Sequence, residues 1–89
     1  MSEMKFVAIA DLQIAERQRK EITPAELLEL KRSIVAKGLF HAPLISFDAE
    51  NTPWLVAGER RLRAMRELHE EGILFTYNTH PVPANHIPY

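Results

Sequence analysis

The stretch Leu55-Val56-Ala57-Gly58-Glu59-Arg60-Arg61 gathers the groups of this sequence best able to do chemistry. Apolar residues that read as a strand run through a glycine into the charged start of a helix. The first backbone N–H groups of a helix have no internal acceptors and carry the positive end of its dipole, so the junction is an anion site before any side chain is counted. Gly58 lets a ligand come close to the backbone. Arg60 and Arg61 add charged donors whose fork geometry suits phosphate. Glu59 has three roles open to it: holding a metal beside a triphosphate, orienting water, or favouring the helix start through the dipole.

The periodicity of the helix sharpens the question. At roughly 100° per residue, Arg61 falls between Leu68 and Met65 on the apolar face, while Arg60, Arg63 and Arg66 fall outside it. An arginine on an inward face is costly unless paired. Arg61 is therefore expected either to meet a carboxylate, with Glu26, Glu59 and Asp11 as candidates, or to point into a ligand pocket. Cations at a helix start also oppose the dipole, and a bound anion relieves both conflicts. Glu59–Arg63, Arg63–Glu67 and Arg66–Glu70 are each four apart and predict an exposed ladder of ion pairs.

Other polar groups offer less. Arg17, Arg19 and Lys20 form a second basic cluster, read either as another wall of a phosphate pocket or as a solvated loop. His41, His69, His80 and His86 show no common metal-ligand spacing. Ser33 and Ser46 have no histidine nearby in sequence, so a hydrolase triad has no support. The absence of cysteine removes disulfides, thiolate metal sites and cysteine nucleophiles, and fits a reducing cytoplasm. Trp54 reads as core or hairpin packing.

The elements that must position the junction follow from local signals. Residues 5–9 read as a strand and residues 11–20 as a loop or helical turn. Thr23-Pro24-Ala25-Glu26 is a capping box with proline at the first helical position, in which Glu26 would reach back to the Thr23 N–H. Leu27, Leu30 and Ile34, with Leu28 and Val35, keep helical spacing to residue 37, and Gly38 stops the helix. Residues 43–47 and 54–57 read as strands joined by a polar turn, hence a hairpin. A second helix runs over 59–71 and stops at Gly72. Residues 73–77 read as a strand; residues 80–89, with Pro81, Pro83 and Pro88, read as an edge strand or extended tail.

The totals set the frame. Eighty-nine residues make one small domain with hydrophobic content of 46%, enough for one core. We expect a single domain over 1–89, its core about residues 6–77 and residues 78–89 an edge strand or tail. A formal net charge of −1 makes the domain as a whole no electrostatic DNA clamp, so anion binding has to be local. No signal peptide or membrane span is suggested.

These residues resemble the N-terminal domain of ParB-type partition proteins, in the ParB/sulfiredoxin superfamily. Gly58-Glu59-Arg60-Arg61-Leu62-Arg63-Ala64 is similar to the family's Gly-Glu-Arg-Arg box and its continuation. Leu27, Leu30, Ser33-Ile34, Gly38-Leu39 and Pro43-Leu44-Ile45 match the helix-to-strand stretch before it. Arg19-Lys20 resembles an upstream phosphate-contacting pair. The likeness covers about residues 6–71. Where the family usually has Gln-Pro-Arg upstream, this chain has Arg17-Gln18-Arg19.

The resemblance implies an α+β fold, a small mixed sheet with two main helices, that binds a nucleoside triphosphate, CTP with Mg²⁺ in ParB proteins. It implies phosphate contacts from Gly58, Arg60, Arg61, Arg63, Arg17 and Arg19, and a part in hydrolysis for Glu59, which leaves weak CTPase or NTPase activity open. It further implies nucleotide-dependent homodimer engagement as a clamp on DNA, in chromosome or plasmid partition in the cytoplasm. DNA reading would fall to a helix-turn-helix region absent here, so the expectation is an excised domain or a stand-alone member. A ParB-like nuclease or small-substrate phosphotransferase, and a non-catalytic interaction module, stand as alternatives. Sulfinic-acid reduction is excluded, because that branch needs a cysteine in the box.

Overall fold

The computed structural model describes residues 4–16 and 21–89. The chain opens with β1, Phe6–Ala8, which runs into a 3-10 turn at Ile9–Asp11. α1 spans Pro24–Lys37 and is followed by the hairpin of β2, Leu44–Phe47, and β3, Pro53–Ala57. α2 spans Glu59–Glu70, and three short strands complete the chain: β4, Thr76–Tyr77, β5, His80–Pro81, and β6, His86–Pro88. The result is α+β, with two main helices and three two-stranded antiparallel sheets, β1–β6, β2–β3 and β4–β5. Two isolated parallel bridges, Gln13 to Trp54 and Leu39 to Tyr77, tie loop segments to the second and third of these sheets.

α1 starts as its sequence dictates, with one difference. The Thr23 hydroxyl accepts from the Glu26 N–H at 3.2 Å, but it also donates to Glu26 Oε1 at 3.0 Å, so the glutamate binds the Thr23 side chain rather than its backbone N–H. A hydroxyl is both donor and acceptor and can close both bonds in one ring. Only Ile34 of α1 is fully buried; Leu27 and Leu30 pack partly against the core, and Leu28 and Val35 stay exposed. A domain this small has one core to offer, and α1 lies at its rim with a single face turned in.

α2 is the central helix. Leu62, Ala64, Met65 and Leu68 are each no more than 1% exposed. The two helices are joined by Lys31, whose ammonium pairs with Glu67 at 3.2 Å and with Glu71. Those bonds, to Glu71 first and then Glu67, hold the Lys31 pKa above its ordinary value against the opposing effect of burial. Glu67 thus serves a link between helices in addition to any role on the α2 surface, which the i, i+4 spacing could not reveal.

The last residues close the fold. β6 pairs with β1 in the register Val7 to Ile87, and Ile87 is completely buried. His69, in the last turn of α2, clips this segment from outside: Nε2 lies 2.7 Å from the His86 carbonyl, and the Asn85 N–H donates to Nδ1 at 3.3 Å. A backbone N–H needs a lone pair to meet, so the pairing places the proton on Nε2. Within the 73–77 stretch, only Thr76–Tyr77 pairs as a strand, because the tight turn through Asn78 and Thr79, both at positive φ, leaves β5 just two residues long.

The β2–β3 turn is built around Asp48. Oδ1 accepts from the Glu50 and Thr52 N–H groups, both at 2.9 Å, and Oδ2 accepts from the Trp54 indole at 2.9 Å. Trp54 is therefore hairpin packing, 38% exposed, and not core. The Thr52 N–H first, then the Trp54 indole and the Glu50 N–H, hold the Asp48 carboxyl below its ordinary value of 3.8, with desolvation opposing. Because the folded-state value is the lower one, the turn contributes its full stability above about pH 4 and loses it as pH falls through the folded value. Acid unfolding followed by the fluorescence of Trp54, the only tryptophan, should show a loss of stability below about pH 4 that Asp48→Asn flattens, with the variant less stable than wild type at pH 7. Parallel acid profiles would show that the turn carries none of this dependence.

Candidate functional site

The passage from β3 into α2 takes one residue. Gly58 has φ 95° and ψ 29°, a left-handed conformation that costs other L-residues roughly 1–2 kcal/mol. A Cβ there would also lie 3.0 Å from Pro43 Cα and 3.2 Å from Pro43 Cβ. The space a side chain would need is occupied by Pro43, so glycine is required by the protein's own packing. That contact locks the helix start to the segment just before β2.

The Gly58 carbonyl accepts the first helical bond, from the Leu62 N–H at 3.0 Å, and among the described residues no side chain caps the start of α2. α1, by contrast, is capped by Thr23. The open first turn of α2 borders a cleft of about 780 Å³, lined by Gly58, Glu59, Arg60 and Arg61 together with Ile22, Glu26, Glu29 and Leu30. That volume lies in the ordinary range for small-molecule sites, roughly 300–1,000 Å³.

The structure brings four of the residues singled out by sequence, Gly58, Glu59, Arg60 and Arg61, to one cleft. Arg61 is exposed, not inward, and it pairs with no carboxylate among the described residues. It does continue the buried stripe of α2, but one turn before Met65 the core ends and the cleft begins, so the same direction leads into open space. Arg60 carries the ion pair: Nη1 lies 4.0 Å from Glu26 Oε2, and Nη2 donates to the Glu21 carbonyl at 3.3 Å. Both side chains of that pair are more than half exposed, so the link is worth little by itself. Arg17 and Arg19, with Lys20, lie outside the described residues.

The buried charge of the box is Glu59. Its side chain is 6% exposed. Oε1 accepts from Arg63 Nη2 at 3.0 Å, and Oε2, also buried, has no hydrogen-bond partner. The expected exposed ladder therefore begins with a pair that is largely enclosed, because the side of the first turn that carries Glu59 is covered while Arg60 and Arg61 stay exposed. Arg63 does not line the cleft; it borders a neighbouring recess with Leu27, Lys31 and Glu67. Sequence reasoning picked out Glu59 for its position and missed its burial, since helical spacing places it opposite the apolar stripe.

An unpaired buried carboxylate oxygen is expensive, and here it belongs to a residue that lines a cleft beside an uncapped helix start. The lining counts three carboxylates, Glu26, Glu29 and Glu59, against two guanidiniums. Such a site suits an anion that arrives with a cation. Among the described residues, no group of three or more His, Asp or Glu side chains could hold a metal alone, so a cation here would share its ligands between Glu59 and the anion.

The sequence matches the ParB N-terminal domain family over residues 1–82. Among solved structures, the fold is similar to the C-terminally truncated chromosome-partitioning protein ParB from Caulobacter crescentus, in a crystal structure complexed with CTP-gamma-S. The TM-score is 0.59 at 32% sequence identity, over 74% of this chain and 38% of that one. The chain thus corresponds to well under half of that protein. Among curated proteins no sequence matches.

The site makes a stability prediction. Gly58→Ala should destabilise the domain by more than Gly72→Ala, whose glycine also has positive φ (72°) but nothing within 4 Å of an added Cβ. The second change should cost about 1–2 kcal/mol, and the first should exceed it by the added cost of displacing Pro43. Equal melting temperatures in thermal denaturation would mean that Pro43 yields freely.

Proposed function

The chain belongs to the ParB N-terminal domain family, and from that premise we propose that the cleft at the start of α2 binds a nucleoside triphosphate, CTP first among them, with Mg²⁺. The observation that carries this reading is the uncapped helix start in a cleft whose lining includes Glu59, a buried residue with one unpartnered carboxylate oxygen. Free N–H groups and Arg61 suit the phosphates. Glu59 Oε2 suits the cation, or a water oriented toward the terminal phosphate, which makes Glu59 the candidate catalytic residue. The cation supplies charge neutralisation between the phosphates and the carboxylates of the lining.

Arg60 has a different starting point. Bound to Glu21 and Glu26, it has to exchange those partners for phosphate oxygens, and in doing so it releases the segment before α1. Arg17 and Arg19 belong to the chain just upstream of that segment and are assigned the outer phosphate contacts. On this reading the domain serves a DNA-partition or regulatory protein of the cytoplasm. Nucleotide gates engagement of two copies, and DNA is read by a helix-turn-helix region elsewhere.

The reading is tested by thermal shift with CTP, ATP, GTP and UTP, with and without Mg²⁺, on wild type and Arg61→Ala. A ligand at a hundred times its Kd stabilises by about 2.7 kcal/mol, which for a domain of this size is on the order of 10 °C. CTP with Mg²⁺ should give such a shift. Because Arg61 is exposed, Arg61→Ala should melt within about 0.5 kcal/mol of wild type without ligand and lose the shift. No shift with any nucleotide would overturn the assignment.

A further inference from the structure

Arg63 stands one helical turn after Glu59 in α2. Its Nη2 donates to Glu59 Oε1 at 3.0 Å, with the glutamate side chain 6% and the arginine side chain 33% exposed. The two residues face different spaces. Glu59 lines the cleft, whereas Arg63 borders the recess between α1 and α2 beside Lys31 and Glu67. The ion pair therefore sits between the two spaces, with Oε1 held by the guanidinium and Oε2 buried beside it without a hydrogen-bond partner.

We propose that Arg63 is a positioning residue: by holding Glu59 through Oε1 it leaves Oε2 as the oxygen that takes a ligand cation beside the cleft, and it makes no contact with the phosphates itself. The inference rests on the reading of the cleft as a nucleotide site. It assigns Arg63 a different role from the phosphate contact that its place in the Gly-Glu-Arg-Arg box and its continuation suggests.

Three arguments support it. Glutamate four residues before a basic residue is the favourable order along a helix, so the bond is close to its best geometry. A glutamate has three side-chain torsions, and a carboxylate bound at neither oxygen would turn both toward whatever donor is nearest; one fixed oxygen determines where the other points. Finally, a buried carboxylate with no partner at all is costly, so the arginine stabilises the very group that the cleft needs. The arrangement leaves one oxygen satisfied by protein and one reserved for a ligand cation.

The deciding experiment is calorimetric titration of the intact chain with CTP, with and without Mg²⁺, for wild type, Glu59→Gln, Arg63→Met, Arg63→Lys and the double variant Glu59→Gln/Arg63→Met. Wild type should bind more tightly with Mg²⁺ than without. Arg63→Met should keep its Mg²⁺-free affinity within about twofold and lose most of the Mg²⁺-dependent gain, as Glu59→Gln does, while Arg63→Lys, which keeps a donor at the same place, restores part of it.

The double variant removes both charges and guards against misfolding of Arg63→Met alone. It should bind CTP as Glu59→Gln does, since two residues acting as one unit are not additive. A tenfold or larger loss of Mg²⁺-free affinity in the double variant relative to Glu59→Gln would place Arg63 on the phosphates and overturn the proposal. If Glu59→Gln lost its Mg²⁺ response while folded Arg63→Met kept it, the nucleotide site would stand and the role of Arg63 would fall. Wild type that binds no nucleotide at all would remove the cleft reading, and this inference with it.

Discussion

Pro43 lies against Gly58 where any other residue would carry a Cβ, and the backbone there is left-handed. Those two facts turn the chain from β3 into α2 within one residue. The turn decides where the buried stripe of α2 points, and Leu62, Ala64, Met65 and Leu68 on that stripe are a large part of the single core. It also decides where the open end of the helix points. Core and cleft are therefore two consequences of one junction, met at successive turns of the same helix.

The rest of the domain holds that helix in place. β1 and β6 cover the core with Val7 and Ile87, and His69 secures the returning segment to the far end of α2. Lys31 draws α1 against the middle and end of α2 through Glu67 and Glu71. Arg60 reaches from the first turn of α2 to Glu21 and Glu26, at the start of α1. The contacts at the closed end of the helix pair involve half-buried groups, whereas the contact at the cleft end is exposed and long. The cleft end is thus the end at which α1 and the segment before it can shift at least cost.

Features set by local chemistry were legible in the sequence. The Thr23 cap, the proline at the first position and Gly38 marked α1 because each acts within a few residues. The glycine between β3 and α2 marked the junction for the same reason. Glu59 and Arg61 were not legible in burial, because helical spacing describes a helix packed along its whole length. α2 leaves the core at its first turn, so Arg61 on the apolar stripe emerges into the cleft and Glu59 on the opposite side is enclosed. The three prolines of residues 80–89 argued against a regular internal strand, yet Ile87 is fully buried. Its partner Val7 is eighty residues away, a distance at which no local signal operates.

Two helix starts border the cleft, and their difference explains its charge pattern. α1 satisfies its own first turn: Thr23 accepts from the Glu26 N–H, and Glu26 adds a negative charge where the dipole favours one. α2 has glycine at the same position and so brings no oxygen of its own. Its acidic residue, Glu59, is held sideways by Arg63, and the following residues are arginines, which the dipole disfavours. In isolation that is a poor beginning for a helix. In the proposed complex a negative ligand on the N–H groups, meeting Arg61, and a cation at the unpaired Glu59 oxygen would offset both defects. The residues of the first turn of α2 that are worst placed for stability are thus the ones that the proposed function uses for binding.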